Sequence, residues 1–256
     1  MVYENIVCET RDGVASLVIN RPPLNILTTK TMREIANAYR AAEEAKDVRI
    51  VTVRGTGRKA FAAGVDVKDH LPEVMKEMLD AFEEMILTLS HGRKPSLAIV
   101  DGICSGGGFE IVLCCDMVIA TDKAVFSLPE ITLSLYPGLG IAMLPRKIPR
   151  NIAFEIIASG DPIDAEVACR VGLVNKVVAQ DQLENEAEKF LGRFRNKSAK
   201  ALELSRHALL RAYDMEFVKA LKTVDDIYLG LVMQTEDAKE GLNSFLEKRK
   251  PIWKHR

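Results

Sequence analysis

Of all its stretches, Cys104-Ser105-Gly106-Gly107-Gly108-Phe109-Glu110 most constrains the fold of this chain. It lies between a wholly apolar run at 97–100 and an apolar helical segment at 107–115, so it reads as a tight strand-to-helix turn. Three consecutive glycines allow very close backbone approach and leave amide N–H groups unshielded at the positive end of a helix. A second turn, Phe61-Ala62-Ala63-Gly64-Val65-Asp66-Val67-Lys68, offers further small residues and exposed amides. If the two turns converge, main chain alone can polarise one oxygen atom.

Alternating segments surround these turns. Residues 14–19, 49–54, 97–100 and 117–120 read as strands, 125–126 as a shorter one, and 28–46, 71–90 and 107–115 as helices. Alternation of this kind predicts an α/β fold with parallel pairing. Thr31 and Glu34 read as a capping box, with Met32, Ile35, Ala36, Tyr39 and Ala42 tracing one apolar face. In the second helix Val74, Met78, Leu79, Phe82, Met85, Ile86 and Leu89 do the same. After Asp181 only helical patterns remain, at 182–195, 199–212, 215–233 and 236–248, with Ser198 and Thr235 as N-caps. A helical tail without a sheet to cover must fold back on the core or dock on another subunit.

Two glutamates stand among apolar neighbours: Glu110 between Phe109 and Ile111, and Glu130 between Pro129 and Ile131. Burial raises a carboxyl's pKa, and two carboxyls near each other cannot both ionise freely, which suits a division of acid and base roles around one water. Singly, each also fits a structural role, Glu110 at a helix N-terminus and Glu130 in a solvated turn. The string Gly55-Thr56-Gly57-Arg58-Lys59-Ala60 mimics a dinucleotide-binding turn, but Gly64 interrupts the helix that should follow. His70, His91, His207 and His255 are too scattered for a metal site, and no serine sits on a nucleophile elbow.

Bulk properties narrow the classes further. The 256 residues, 48% hydrophobic and 28% charged, suit one medium domain with a smaller appendage. A net charge of −1 argues against nucleic acid or an anionic membrane as partner, and no apolar run or N-terminal signal marks a span or export. Five cysteines without a CxxC spacing are expected to be reduced thiols in a cytoplasmic protein.

The ordered set of segments resembles the crotonase, or enoyl-CoA hydratase/isomerase, superfamily over essentially the whole chain. Asn20-Arg21-Pro22 with Leu24-Asn25, the segment 59–68, the segment 101–110 with Cys115-Asp116, and Phe126 to Glu130 with Pro137-Gly138 carry the resemblance. Gly172-Leu173-Val174, similar to a later strand, and the helix from Glu236 to Pro251 complete it.

The resemblance implies a spiral of β-β-α turns over residues 1–195. A helical region at 196–256 would build a homotrimer or homohexamer. It also implies that the Val65 and Gly107 amides hold a thioester oxygen and that Glu110 and Glu130 handle water and the α-proton. Gly138 would sit near that water. Ala62, Ala63, Asp66 and Lys68 would line the acyl-CoA path, Phe109 and Tyr136 the acyl pocket, and Lys248 would reach a neighbouring subunit's CoA. No cofactor or metal is expected beyond the CoA of the substrate.

Joint presence of both glutamates favours hydration. Isomerisation, ring-cleaving hydrolysis and non-catalytic acyl-CoA binding remain open on the same scaffold. Leu128, Phe109 and the apolar stretch 141–146 depart from typical hydratases and resemble the branch that hydrates cyclic dienoyl-CoA thioesters.

Overall fold

Strands of this chain alternate in the direction of their side chains, and both faces of its main sheet are covered. In the computed structural model, which describes residues 3–256, the chain opens with β1 (Ile6–Arg11) and β2 (Val14–Ile19), followed by α1 (Thr29–Glu44). Next come β3 (Ile50–Gly55), β4 (Ala60–Ala62), α2 (Met75–His91), β5 (Ser96–Val100), β6 (Ile103–Ser105) and α3 (Gly107–Cys114). The middle of the chain forms β7 (Met117–Thr121), β8 (Val125–Ser127), α4 (Gly138–Lys147), α5 (Arg150–Ser159), β9 (Ile163–Asp164), α6 (Ala165–Arg170) and β10 (Lys176–Val178). Four helices close it: α7 (Leu183–Arg195), α8 (Ala199–Ala212), α9 (Phe217–Gly230) and α10 (Glu236–Leu246).

A six-stranded sheet has the order β1-β2-β3-β5-β7-β10, parallel except for the β1–β2 pair. On one face Leu17, Val51, Val53, Ala98, Val100, Val118 and Ala120 join the main core with residues of α1, α2 and α3. On the other, Val14, Ile50, Leu97, Ile99 and Ile119 meet Leu183, Ala187, Phe190 and Leu191 of α7. Covering both faces explains the unbroken apolar runs in these strands. A smaller sheet, ordered β4-β6-β8-β9, stacks the starts of the functional turns side by side. The alternating α/β architecture and the helical C-terminal segment agree with the sequence reading.

Several local expectations are corrected. The Thr31–Glu34 capping box does not form: Thr28 caps α1 by accepting from Thr31 N. The Glu34 carboxylate instead accepts from Asn5 N at 2.7 Å, tying the entry of β1 to α1. Residues 172–174 are not a strand; pairing with β7 begins at Lys176, after Asn175 bonds Val118 through both main chain and side chain. Leu79 and Val74, expected in the apolar face of α2, are exposed. α4 and α5 fill the stretch after the Pro137-Gly138 turn; neither had a helical signal, and α4 contains Pro145. Ser198 and Thr235 cap α8 and α10 as expected, accepting from Ala201 N and Ala238 N. Gly55-Thr56-Gly57 leads into β4 rather than a helix, so the dinucleotide resemblance has no structural counterpart.

The tail divides into a docked and an undocked part. Arg206 of α8 is buried, ion-paired with Asp116 at 2.8 Å, and it donates to the carbonyls of Leu89, Ser90 and Gly92 at the end of α2. By contrast α9 buries none of its residues, and Phe217, Tyr228, Leu229, Phe245 and Leu246 lie exposed. No helix among the described residues is long and apolar enough to cross a membrane.

Candidate active site

The entry to α3 is built by neighbouring strands. Gly106 N donates to Ser127 O of β8 at 2.9 Å, and Glu110 N closes the first helical bond onto Gly106 O at 3.0 Å. Between them lie the amides of Gly107, Gly108 and Phe109, which an α-helix leaves without intrahelical acceptors. Gly106 adopts φ 50° and ψ −127°, a conformation open to glycine and strongly disfavoured for other residues. A side chain on Gly108 would collide with the carbonyl of Ala62, so the triplet lets α3 press against β4.

The second turn meets the first directly. Leu27 N donates to Gly64 O at 2.9 Å and Asp66 N to Leu27 O at 2.8 Å, an arrangement that turns the N–H of Val65 away from Leu27. A Cβ at Gly107 would stand 2.8 Å from Val65 Cγ2, and one at Gly106 would stand 3.6 Å from Gly64 Cα. Among the described residues neither Val65 N nor Gly107 N has an acceptor. The turns predicted to converge therefore abut, and both carry an uncommitted amide.

Two carboxyl groups flank this junction. Glu110 is 4% exposed. Its Oε1 accepts from Leu139 N at 2.8 Å and Gly140 N at 2.9 Å. Glu110 thus caps the N-terminus of α4 rather than that of its own helix, and it ties the 129–140 segment to α3. Burial pushes its pKa up to about 7, with a further rise from the Glu130 charge, against the pull of the two amides. Glu130 occupies a one-turn helix at Pro129–Leu133. Its Oε1 lies 2.9 Å from where a Gly106 Cβ would stand, and its buried Oε2 has no hydrogen-bond partner among the described residues. Burial raises the Glu130 pKa as well, opposed first by its own main-chain N–H and then by the charge of His70. An acid that holds its proton near neutrality, beside another raised carboxyl, can exchange protons with a bound water or an activated carbon.

The remaining candidates fall into distinct places. Gly138 opens α4, one residue before the amides that grip Glu110. Ala62 is buried in β4, while Ala63 donates from its N to Leu24 O at 3.0 Å. Asp66 accepts from Lys68 N and caps the 67–70 turn, leaving Lys68 exposed at the rim. Tyr136 is 72% exposed on the approach to α4. Lys248 lies in the exposed segment after α10. Phe109 is a correction. It is 0% exposed and packs on Phe126 with ring centroids 5.3 Å apart, so it belongs to the core and offers no surface to a ligand.

Three contributors escaped the sequence reading. The Leu139 and Gly140 amides act through a helix start that carried no polar cap signal. His70 was discounted for lack of ligand spacing, yet its position five residues beyond Val65 in the same turn was a usable signal. A separate cleft of about 500 Å³, lined by Cys115, Lys147, Arg206 and Tyr213 among others, touches neither glutamate.

With this geometry in hand, similarity to known proteins is informative. The sequence model of the family described as Enoyl-CoA hydratase/isomerase matches residues 9–256. The crotonyl-CoA hydratase of Syntrophomonas wolfei is 36% identical over 255 residues, covering 98% of each chain. The short-chain-enoyl-CoA hydratase of Clostridium acetobutylicum is 34% identical over 260 residues, covering 98% of this chain and 97% of its own. Among solved structures, an enoyl-CoA hydratase from Bacillus anthracis superposes with a TM-score of 0.93 at 30% identity, covering 99% of this chain and 100% of its own. Matches of this extent, together with abutting amide turns and paired buried carboxyls, place the chain in the enoyl-CoA hydratase/isomerase family.

Proposed function

We propose that this protein is an enoyl-CoA hydratase that adds water reversibly across the α,β-double bond of an acyl-CoA thioester. The observation that carries the reading is the pair Glu110 and Glu130, both with raised pKa, flanking Gly106 where the Val65 and Gly107 amides are free. The thioester oxygen would sit between those amides, each donor lowering the barrier by ~3 kcal/mol as enolate charge develops. Glu110 would orient and activate the water, and Glu130 would deliver the proton to the α-carbon, or remove it in the reverse direction. No electron or metal chemistry is required, because the thioester already stabilises the carbanion as an enolate.

The acyl-CoA path would pass Ala62, Ala63, Asp66 and Lys68, with Tyr136 beside the acyl group. The substrate would be a cyclic dienoyl-CoA, a reading supported by the apolar Ile141, Ala142 and Met143 of α4, which keep accessible surface. A cytoplasmic homotrimer or homohexamer, built through residues 196–256 and with Lys248 turned to a neighbour's CoA, would cover the exposed apolar faces of α9 and α10.

Turnover with a panel of linear and cyclic enoyl-CoA esters tests the reading. Hydration removes the conjugated absorbance and raises product mass by one water. A product of unchanged mass would replace it with double-bond isomerisation, and absence of turnover on every ester would end it.

A further inference from the structure

We infer that His255 is a pH-sensitive clasp: its neutral imidazole fastens α10 and the segment 249–256 to the start of α8, and gain of a proton opens the joint. The inference concerns the helical region and is independent of the hydratase reading.

The fastening is one contact with a fixed sense. Ala199 opens α8, and its main-chain N–H has no acceptor within the helix. It donates to His255 Nδ1 at 3.0 Å, while Ser198 Oγ accepts from Ala201 N at 3.1 Å. A main-chain N–H only donates, so Nδ1 presents its lone pair and the ring hydrogen sits on Nε2. A second proton can go only to Nδ1. There it faces the Ala199 hydrogen at the positive end of a helix, so one protonation turns an attraction into a repulsion.

Behind the ring, the segment is laced to α10. The His255 and Lys254 amides donate to the buried Asp237 carboxylate at 2.9 and 2.7 Å. Glu236 N donates to Arg256 O at 3.0 Å, and the Arg249 guanidinium forks onto the Glu240 carboxylate. The Trp253 ring lies over Gly241, where a Cβ would stand 3.4 Å from Cη2. Two side chains of the segment reach across the joint: His255 to Ala199, and Trp253, whose Nε1 donates to Asn196 O at 2.7 Å. α10 carries the exposed Phe245 and Leu246, so the clasp holds the platform of that apolar face.

The surroundings of the ring set the pH at which the joint opens. Burial is the largest influence and disfavours the imidazolium; Arg49 before β3 and Lys94 before β5 add positive charge. Asp237 of α10 pulls the other way, with its oxygens engaged by the two amides. Glu236 is occupied by Lys254 and Arg256, and on α8 Lys200 pairs with Glu203. The folded ring thus takes up its proton below the ordinary histidine value of 6.5. Stabilisation by the clasp is fully present above that value and is lost as pH falls from it through the lowered one.

The test uses the full chain, whose single tryptophan, Trp253, sits in the joint. Its fluorescence is followed from pH 8 to pH 4.5 in wild type and in His255→Asn. The Asn Oδ1 takes the place of Nδ1, accepts without titrating, and suits the φ of 61° at this position. Wild-type emission should shift to the red as pH falls, with a midpoint below 6.5, whereas His255→Asn should hold its emission throughout. By NMR, the wild-type Ala199 N–H resonance should move along the titration curve of the His255 ring. Wild-type emission that stays constant overturns the inference, as does a red shift that persists in His255→Asn. An Ala199 resonance that stands still while the ring titrates does the same, and this arm needs no variant to fold.

Discussion

Gly106 stands where any side chain would press on Glu130: a Cβ there would lie 2.9 Å from Glu130 Oε1. The same residue accepts the first hydrogen bond of α3 from Glu110 N. One glycine thus sets the spacing of both carboxyls relative to the free amide of Gly107. In Gly106→Ala the positive φ should cost ~1–3 kcal/mol of stability, and the displaced Glu130 should lower kcat at least tenfold. Denaturant unfolding and steady-state hydration of crotonyl-CoA read the two effects; a stable variant with full activity would refute the spacing role.

Replacing the buried acid should separate stability from activity. Folding raises the Glu110 pKa from 4.5 to about 7, so the folded state binds more protons than the unfolded one between those values. Its contribution is fully present below pH 4.5 and is lost as pH rises through 7. Glu110→Gln keeps an oxygen acceptor for the Leu139 and Gly140 amides and removes the buried charge. The variant should therefore gain stability at pH 8, on the order of 1–3 kcal/mol, with a flatter pH dependence. Its hydration rate should fall by roughly 10²–10⁴. Urea titrations at pH 5 and pH 8 check the first part, and unchanged stability at pH 8 would count against the burial argument.

Docking of the tail depends on Arg206. Arg206 is buried, paired with Asp116 and bonded to three carbonyls at the end of α2, so Arg206→Met leaves those carbonyls without this donor and the Asp116 carboxylate with only the Ser96 N–H and hydroxyl. A loss of about 3–5 kcal/mol is expected in equilibrium unfolding. Amide exchange should speed up in α8 before it does in β5 or β7; uniform exchange across the chain would contradict a local clamp.

Exposed apolar side chains on α9 and α10 predict self-association. Phe245 is 81% exposed and Leu246 78%, an arrangement a stable monomer rarely keeps. Light scattering should give three or six times the chain mass of 28.4 kDa. The double variant Phe245→Asp, Leu246→Asp should shift it downward. A wild-type mass near that of one chain at micromolar concentration would reject assembly through this region.

The sequence shows strands where burial on both faces demands apolar residues throughout, as in β5 and β7, and helices where an apolar stripe recurs, as in α1. It shows less where partners are distant. β1 carries no apolar pattern because every one of its residues after Ile6 is exposed. α4 starts without a polar cap because its cap, Glu110, comes from another helix. Phe109 looks like a pocket residue beside Glu110 along the chain, but it points the other way, onto Phe126.

By itself the sequence determined the alternating α/β order, the two small-residue turns and the apolar settings of Glu110 and Glu130, since each is a local property of pattern, backbone freedom or neighbouring residues. Only the tertiary structure decided that the turns abut at Gly106, that Glu110 is gripped by α4 amides, and that the Glu130 carboxyl stands against Gly106. Those relations join residues from 24 to 42 positions apart, and the packing of β4, β6 and β8 into one small sheet brings them within reach.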